Sequence, residues 1–395
     1  MRWNLLNVLS SSHCVIAAAG IGFGLGQVAL ASEVTDLNEV FGVNAPADPV
    51  LLTKMDMGEP YDSMIFHDGY LWVGQNRKEF NANYRVSIFG RDGQRIHEVS
   101  LKHTAYTVHP YGQGAVIVTG TGSSPNLTAW TVIRAGAGGF TSEHHWIPAE
   151  AWSNGWLGTL GGKEFFLDIG GNSDDSDGSM DPNLPAQTIF TVNSASAPSY
   201  LKMRLRGPVS GFKYGNQFII LRKNSIASPA GTVVIVDPAS GTSRDVLDRQ
   251  LDRPGEPVIM PDGERLVVAE ANRGLVHFAN LRTGEKVEFE TGGSPKSVTV
   301  AGTCLIVGME VEKKGMVLKA PANGPVEMVG SFDFNSFGES FHGLRRVAAD
   351  VASGTIYGLS AYPCNPIVQS CPDTWNAVVA NPVTGREAII EKCSK

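Results

Sequence analysis

The sequence predicts an all-β fold, a seven-bladed β-propeller of four-stranded antiparallel blades, and three observations predict it. First, one turn recurs. "VDPASGTSRDVL", "ANLRTGEKVEFE", "KAPANGPVEMV" and "ANPVTGREAII" turn at Gly241, Gly284, Gly324 and Gly385. The first, second and fourth share Asp/Asn-x-x-Ser/Thr-Gly, in which the Asp or Asn side chain caps its own turn and Gly takes the positive φ that closes it. Second, the turns are evenly spaced. The intervals are 43, 40 and 61 residues, and the long one contains the loop "CNPIVQSC", which reads as an insertion. Third, each interval holds four strand signals, and helical periodicity is nearly absent after residue 40. Four strands in a period of about 40–50 residues are the signature of a propeller blade.

The blades follow in order. "SMIFHDGYLWVGQNR…YRVSIFGRDG" is the first, "AYTVHPYGQGAVIVTGTG…LTAWTVIRAG" the second and "WLGTLGGKEFFLDIGG…QTIFTVNS" the third. "GFKYGNQFIILRKN…GTVVIVDPASG" is the fourth. The clearest is the fifth, where "PVIMPDG" leads to "ERLVVAEANR", "GLVHFANLRTG" and "KVEFETGG". Residues 296–331 make the sixth, and "RRVAADVASGTIYGLSAY…TWNAVVANPVTG" the last. The segment before Tyr61, including "PVLLTKMDMG", is expected as an extra outer strand that pairs with the C-terminal blade and closes the ring, removing open sheet edges.

Ahead of the blades stands a secretory pattern. Arg2 supplies positive charge, Val15–Leu30 is apolar and glycine-rich, and Ala29-Leu30-Ala31 is a small-x-small cleavage site. Residues 1–31 are therefore expected to be a signal peptide and 32–395 one propeller domain, periplasmic or secreted, with no membrane span after cleavage. The net charge of −7 argues against nucleic acid as the main partner, since phosphate binding needs a basic surface.

Beyond the signal lie four cysteines, Cys304, Cys364, Cys371 and Cys393. In an oxidising compartment an even number suggests disulfides. Cys364 and Cys371 flank a short proline-bearing loop and suit a local bridge, which leaves Cys304 and Cys393; three connectivities remain open.

The block "PDGERLVVAEANRGLVHFANLRTGEKVEFETGGSPKSVTV" (261–300) resembles the YVTN family of β-propellers. A Pro-Asp-Gly turn precedes the strand Leu266-Val267-Val268-Ala269, then come Asn, an apolar strand, a Thr-Gly turn and Gly-x-x-Pro before the next blade. The resemblance covers 228–300 best. It implies the fold; such propellers include exported proteins of unassigned role, lactonases, lyases and large subunits of amine dehydrogenases, so it leaves the chemistry open.

Propeller ligands meet loops at one mouth of the central channel. The ends of the second strands carry Gln75, Asn76 and Arg77; Arg222, Lys223 and Asn224; Glu270, Asn272 and Arg273; Glu310 and Glu312. The loops leading into the first strands add Asp62, Glu256, Glu339 and His342. Arg77, Arg222, Glu270, Arg273 and Glu310 are expected to bind a ligand, although a solvated loop rim would read the same way. "GESFHGLRR" brings Glu339, His342, Arg345 and Arg346 together. There an Arg would hold a carboxylate and His342 would move a proton, the chemistry of a lyase on an acidic sugar. No GxSxG and no HxH or HxxxH pair occurs.

"SDDSDGSMD" places Ser173, Asp175, Asp177 and Asp181 at alternate positions around Gly178, an oxygen-ligand pattern that suits structural Ca²⁺. Ser replaces the first Asp, and Leu184 stands where an EF-hand has its Glu, so an acidic surface loop fits the same letters. With no catalytic constellation in view, the chain reads as an exported binding or scaffold module for a protein partner or small-molecule ligand. The alternatives are a lyase or lactonase at the channel mouth, and the cofactor-free large subunit of an amine-dehydrogenase-like complex.

Overall fold

The computed structural model describes residues 50–56, 63–75, 84–105, 107–121, 127–148, 154–168, 189–192, 199–201, 205, 208–223, 229–322, 324–334, 343–360, 375–382 and 391–394. Their strands form seven antiparallel sheets, and in all but the last the main strands follow one another in chain order. Sheet one runs Ser63–His67, Tyr70–Gln75, Tyr84–Phe89, Arg95–Leu101, and sheet two Thr107–Pro110, Ala115–Thr121, Leu127–Gly136, Gly139–Pro148. Sheet three runs Asn154–Leu160, Lys163–Asp168, Ile189–Val192, Ser199–Tyr200, and sheet four Pro208–Tyr214, Gln217–Lys223, Ala230–Asp237, Thr242–Asp245. Sheet five runs Val258–Ile259, Arg265–Glu270, Leu275–Asn280, Lys286–Glu290, and sheet six Pro295–Ala301, Cys304–Met309, Lys314–Lys319, Glu327–Asp333. Sheet seven takes Leu344–Asp350, Thr355–Ser360 and Trp375–Pro382 from the C-terminal part and its outermost strand, Val50–Asp56, from the N-terminal part. That strand pairs antiparallel with Trp375–Pro382, as the sequence suggested.

Packing explains the long apolar runs. Within one strand, alternate side chains face opposite neighbours. Phe218 and Ile220 pack with sheet three, whereas Ile219 and Leu221 pack with sheet five. Leu266 and Val268 join sheet four; Val267 and Ala269 join sheet six. Both faces are therefore buried, so Tyr70–Gln75 and Cys304–Met309 are apolar almost throughout. Outer strands such as Thr242–Asp245 and Lys286–Glu290 are mostly exposed. The clusters link each sheet to the next, and Met64, Leu71 and Val73 of sheet one pack against Ala348, Tyr357 and Leu359 of sheet seven. The architecture is an all-β propeller.

Polar ties reinforce these seams. Ser63 Oγ accepts the Val108 N–H at 3.0 Å and Ser297 Oγ the Val347 N–H at 3.0 Å, each between first strands of neighbouring sheets. The recurring turn behaves as its letters require. Asp237 Oδ1 accepts the Ala239 N–H, Asn280 Oδ1 accepts those of Arg282 and Thr283, and Gly241 and Gly284 take φ of 69° and 78°. Gly385 lies outside the described residues.

Sheet four has a fifth strand that the pattern did not indicate. Leu251–Asp252 pairs with Gly231 and Ala230, and the chain then passes through Arg253-Pro254-Gly255-Glu256 into sheet five. A disulfide joins Cys304 of sheet six to Cys393, with Cα atoms 5.1 Å apart. Around it, Thr303 N–H donates to the Cys393 carbonyl at 2.7 Å and Lys319 Nζ to the Lys392 carbonyl at 3.0 Å. Cys364 and Cys371 lie outside the described residues. No helix among the described residues is long and apolar enough to cross a membrane.

Candidate functional site

The first strands surround the axis of the ring, and their leading ends face one mouth together with the trailing ends of the second strands. The segment "LDRPGEP" (251–257) crosses this mouth between sheets four and five. Its path is tightly fixed. Arg253 N–H donates to the Pro229 carbonyl, Ala271 N–H to the Arg253 carbonyl and Gly255 N–H to the Ala269 carbonyl. Arg253 takes φ of 57°, a left-handed conformation that costs a non-glycine residue of order 1–2 kcal/mol. Gly255 runs so close to sheet six that a Cβ there would lie 2.1 Å from the Lys296 carbonyl oxygen.

This segment brings ionisable groups together. Arg253 pairs with Glu310 at 2.8 Å, and Lys296 Nζ donates to the Pro254 carbonyl at 2.9 Å. Lys296 is pushed down to about 8: burial is the main cause, Glu310 opposes it, and Arg253, Lys223 and Arg346 add to it. Burial and then Arg253 also lower Lys223. Neither lysine forms an ion pair among the described residues. Lys223 ends its strand and Lys296 stands second in its own, so two sheets present their ammonium groups to the same space.

Further along the axis, Glu256 receives a two-pronged bond from Arg346 of sheet seven, one prong at 2.6 Å. Burial alone would raise the Glu256 carboxyl; Arg346, then His109 and Arg345, outweigh it and hold the group below the usual carboxylate range. His109, from sheet two, senses the same pair. Burial, partly countered by Glu256 and reinforced by Arg346, lowers it to about 4, so it is neutral at pH 7. Its Nε2 is buried and has no hydrogen-bond partner among the described residues. The side chains of Glu256 and Arg346 stay 41% and 25% accessible although protein surrounds both. Groups from sheets two, five and seven reach one another only across the axis, so these side chains line the channel.

The expected site residues divide. Glu310, Arg345 and Glu256 join this cluster, together with Lys223 and Arg346. Arg222, one residue from Lys223, points to the opposite face and pairs with Asp245 on the outer strand at 3.4 Å. Glu270 is fully buried in the sheet. Arg249 grips both its oxygens at 3.0 and 2.7 Å, His277 bonds it at 2.7 Å, and the Asp252 N–H donates to it at 2.8 Å. Burial would raise Glu270, but these bonds outweigh it and keep the carboxyl ionised. Its role is to anchor the 251–257 segment. Arg273 lies exposed in the short turn Ala271–Arg273, and Glu312 holds Ser294 through its N–H and hydroxyl. Arg77, Glu339 and His342 lie outside the described residues, as do the calcium-loop positions Ser173, Asp175, Asp177 and Asp181. Among the described residues no three His, Cys, Asp or Glu side chains are grouped to hold a metal. Sequence reasoning missed Arg253, Lys296 and His109. The signal for the first was "DRPGEP", a Pro-Gly break longer than a blade-to-blade hand-over needs.

A second polar network is structural. The Thr104 carbonyl can only accept, so His103 Nδ1 donates to it at 2.7 Å. His103 Nε2 then accepts from Thr131 Oγ1 at 2.7 Å, and that oxygen accepts from His144 Nδ1 at 2.7 Å. Burial lowers His103 to about 4, which keeps this relay neutral.

With this geometry, solved structures give a clear match of fold. The WD40 repeats of RRP9 superpose with a TM-score of 0.56 at 9% identity, over 86% of this chain and 99% of that one. This is a likeness of fold alone. A chain of the mitotic checkpoint complex gives 0.55 at 9% identity, covering 86% of this chain and 92% of that one. Hydrazine synthase of Kuenenia stuttgartiensis gives 0.53 at 13%, covering 78% and 94%. No family model matches the chain, and no curated protein matches its sequence.

Proposed function

We propose that the chain is an exported, seven-bladed propeller that acts as a binding or scaffold module, its ring closed by strand Val50–Asp56 on the last blade and its ligand or partner received at the channel mouth. The observation that carries this reading is the cluster around the 251–257 segment: charged groups of sheets four, five, six and seven converge on a backbone held in strain and partly open to water. Strain at a converging charged cluster is characteristic of functional sites. The Cys304–Cys393 disulfide supports an oxidising compartment, periplasmic or extracellular.

A second reading, an enzyme at the same mouth, is favoured by His109. A neutral imidazole with an unpaired Nε2 beside an Arg–carboxylate pair suits proton abstraction from a carboxylate-anchored substrate. Native mass spectrometry of the mature protein from its host tests both. A bound small molecule or partner chain is expected. A small redox subunit in the complex would instead favour the amine-dehydrogenase-like arrangement, and a bare chain would count against the binding reading.

A further inference from the structure

The seam between sheets four and five ends in an open cavity of about 820 Å³, on the face opposite the 251–257 crossing. Tyr214, Asn216 and Gln217 of one hairpin, Asp237 of the next turn and Gly263 of sheet five line it. Strand alternation explains the lining. Phe212, Ile219, Leu221, Val233 and Ile235 send their side chains into the seam. Tyr214, Gln217 and Asp237 continue the same alternate positions to its end, on three neighbouring strands. A phenol, an amide and a carboxylate therefore stand in a row across the sheet, one strand spacing of about 4.8 Å apart. Tyr214 packs on the seam, yet among the described residues its hydroxyl has no hydrogen-bond partner, nor have the Asn216 and Gln217 amides. The turn bonds of Asp237 use Oδ1 and leave Oδ2. Among the described residues no cation lines the cavity, and Arg265 and Arg282 of the neighbouring turns are held by Asp262 at 2.5 Å and Glu264 at 2.9 Å. An anion placed beside Asp237 would go unpaired.

We propose that this cavity binds a neutral sugar, a monosaccharide or the end of a glycan, with its C–H face against Tyr214 and its hydroxyls bonded to Asn216, Gln217 and Asp237. The site is separate from the channel mouth and independent of what the mouth binds. A sugar ring needs an apolar surface and polar groups that serve hydroxyls as donors and as acceptors. Tyr214 supplies an apolar body with a polar tip. The two amides both donate and accept, whereas the carboxylate only accepts, so it fixes which way the hydroxyls beside it point. The volume is that of a small-molecule site with a few placed polar groups.

The test is titration calorimetry of the full mature protein with D-glucose, D-galactose, D-mannose, N-acetyl-D-glucosamine and D-glucuronate. At least one neutral sugar is expected to saturate the protein, with D-glucuronate about tenfold weaker than that sugar because its carboxylate meets Asp237. Two variants keep the fold while changing the site. Tyr214→Phe retains the ring on the seam and removes the hydroxyl. Asp237→Asn retains the turn, since Asn280 caps the matching turn of sheet five, and removes the charge. Each should weaken the sugar about tenfold, with thermal melts showing both folded. Failure of all four neutral sugars to bind, D-glucuronate binding as tightly as the best of them, or full affinity in both variants overturns the proposal.

Discussion

Glu256 and Arg346 form a two-pronged ion pair across the axis of the ring, from segments 90 residues apart. The pair locks the 251–257 crossing to sheet seven and sets the field felt by His109. Glu256→Gln should strand the Arg346 charge and lower unfolding free energy by about 2 kcal/mol. That is less than for a sealed pair, because channel water reaches both groups. Urea denaturation checks this. Adding Arg346→Met should recover part of the loss; if the double variant is weaker than the two single losses combined, the pair is not the cause.

Stability should fall in mild acid. His103 and His109 are both lowered to about 4, against an ordinary value of 6.5. Between those values the unfolded chain binds protons that the folded chain refuses. Their neutral forms therefore cost nothing above pH 6.5, and stability is lost as pH falls from 6.5 to 4. The loss reaches at most about 3 kcal/mol for each. Thermal melts from pH 7.5 to 4 would show it, and His103→Gln should flatten the slope in that window. An unchanged slope would remove His103 as a cause.

The Cys304–Cys393 bridge closes a loop of 89 residues. By chain entropy alone, Cys393→Ser should cost about 4–5 kcal/mol. Melting with and without reductant should give a large drop for the native chain and none for the variant.

Gly255→Ala separates the site from the fold. Its Cβ would strike the Lys296 carbonyl, so the crossing segment must shift away from sheet six. The ligand or partner that co-purifies with the native chain should be lost from the variant in native mass spectrometry, while the melting temperature falls by only a few degrees, since the core seams lie elsewhere. A variant that keeps its bound ligand or partner would show that the 251–257 crossing takes no part in the site.

The fold was legible because its determinants are local. Asp237 and Asn280 cap turns within four residues, and runs such as Leu266–Ala269 are apolar because both faces are buried. The site was legible only in part, because it depends on what crosses the ring. Arg222 and Lys223 look equivalent in a list of charges, yet strand alternation sends one outward and one to the mouth. Glu270 sits at the end of a second strand like Glu310, but Arg249, far from it in sequence, captures it in the sheet. His109 gave no signal, because the charges it senses, Glu256 and Arg346, lie far along the chain.

The pairing of Val50–Asp56 with Trp375–Pro382 has a consequence for biogenesis. The segment made early must wait, unpaired, until nearly the whole chain has been synthesised. A nascent or truncated chain ending before Trp375 carries a ready edge on Thr355–Ser360 and an orphan strand seeking one, and two such chains can satisfy each other. Shortened forms should therefore associate through these two unpaired edges, whereas the full-length chain pairs with itself.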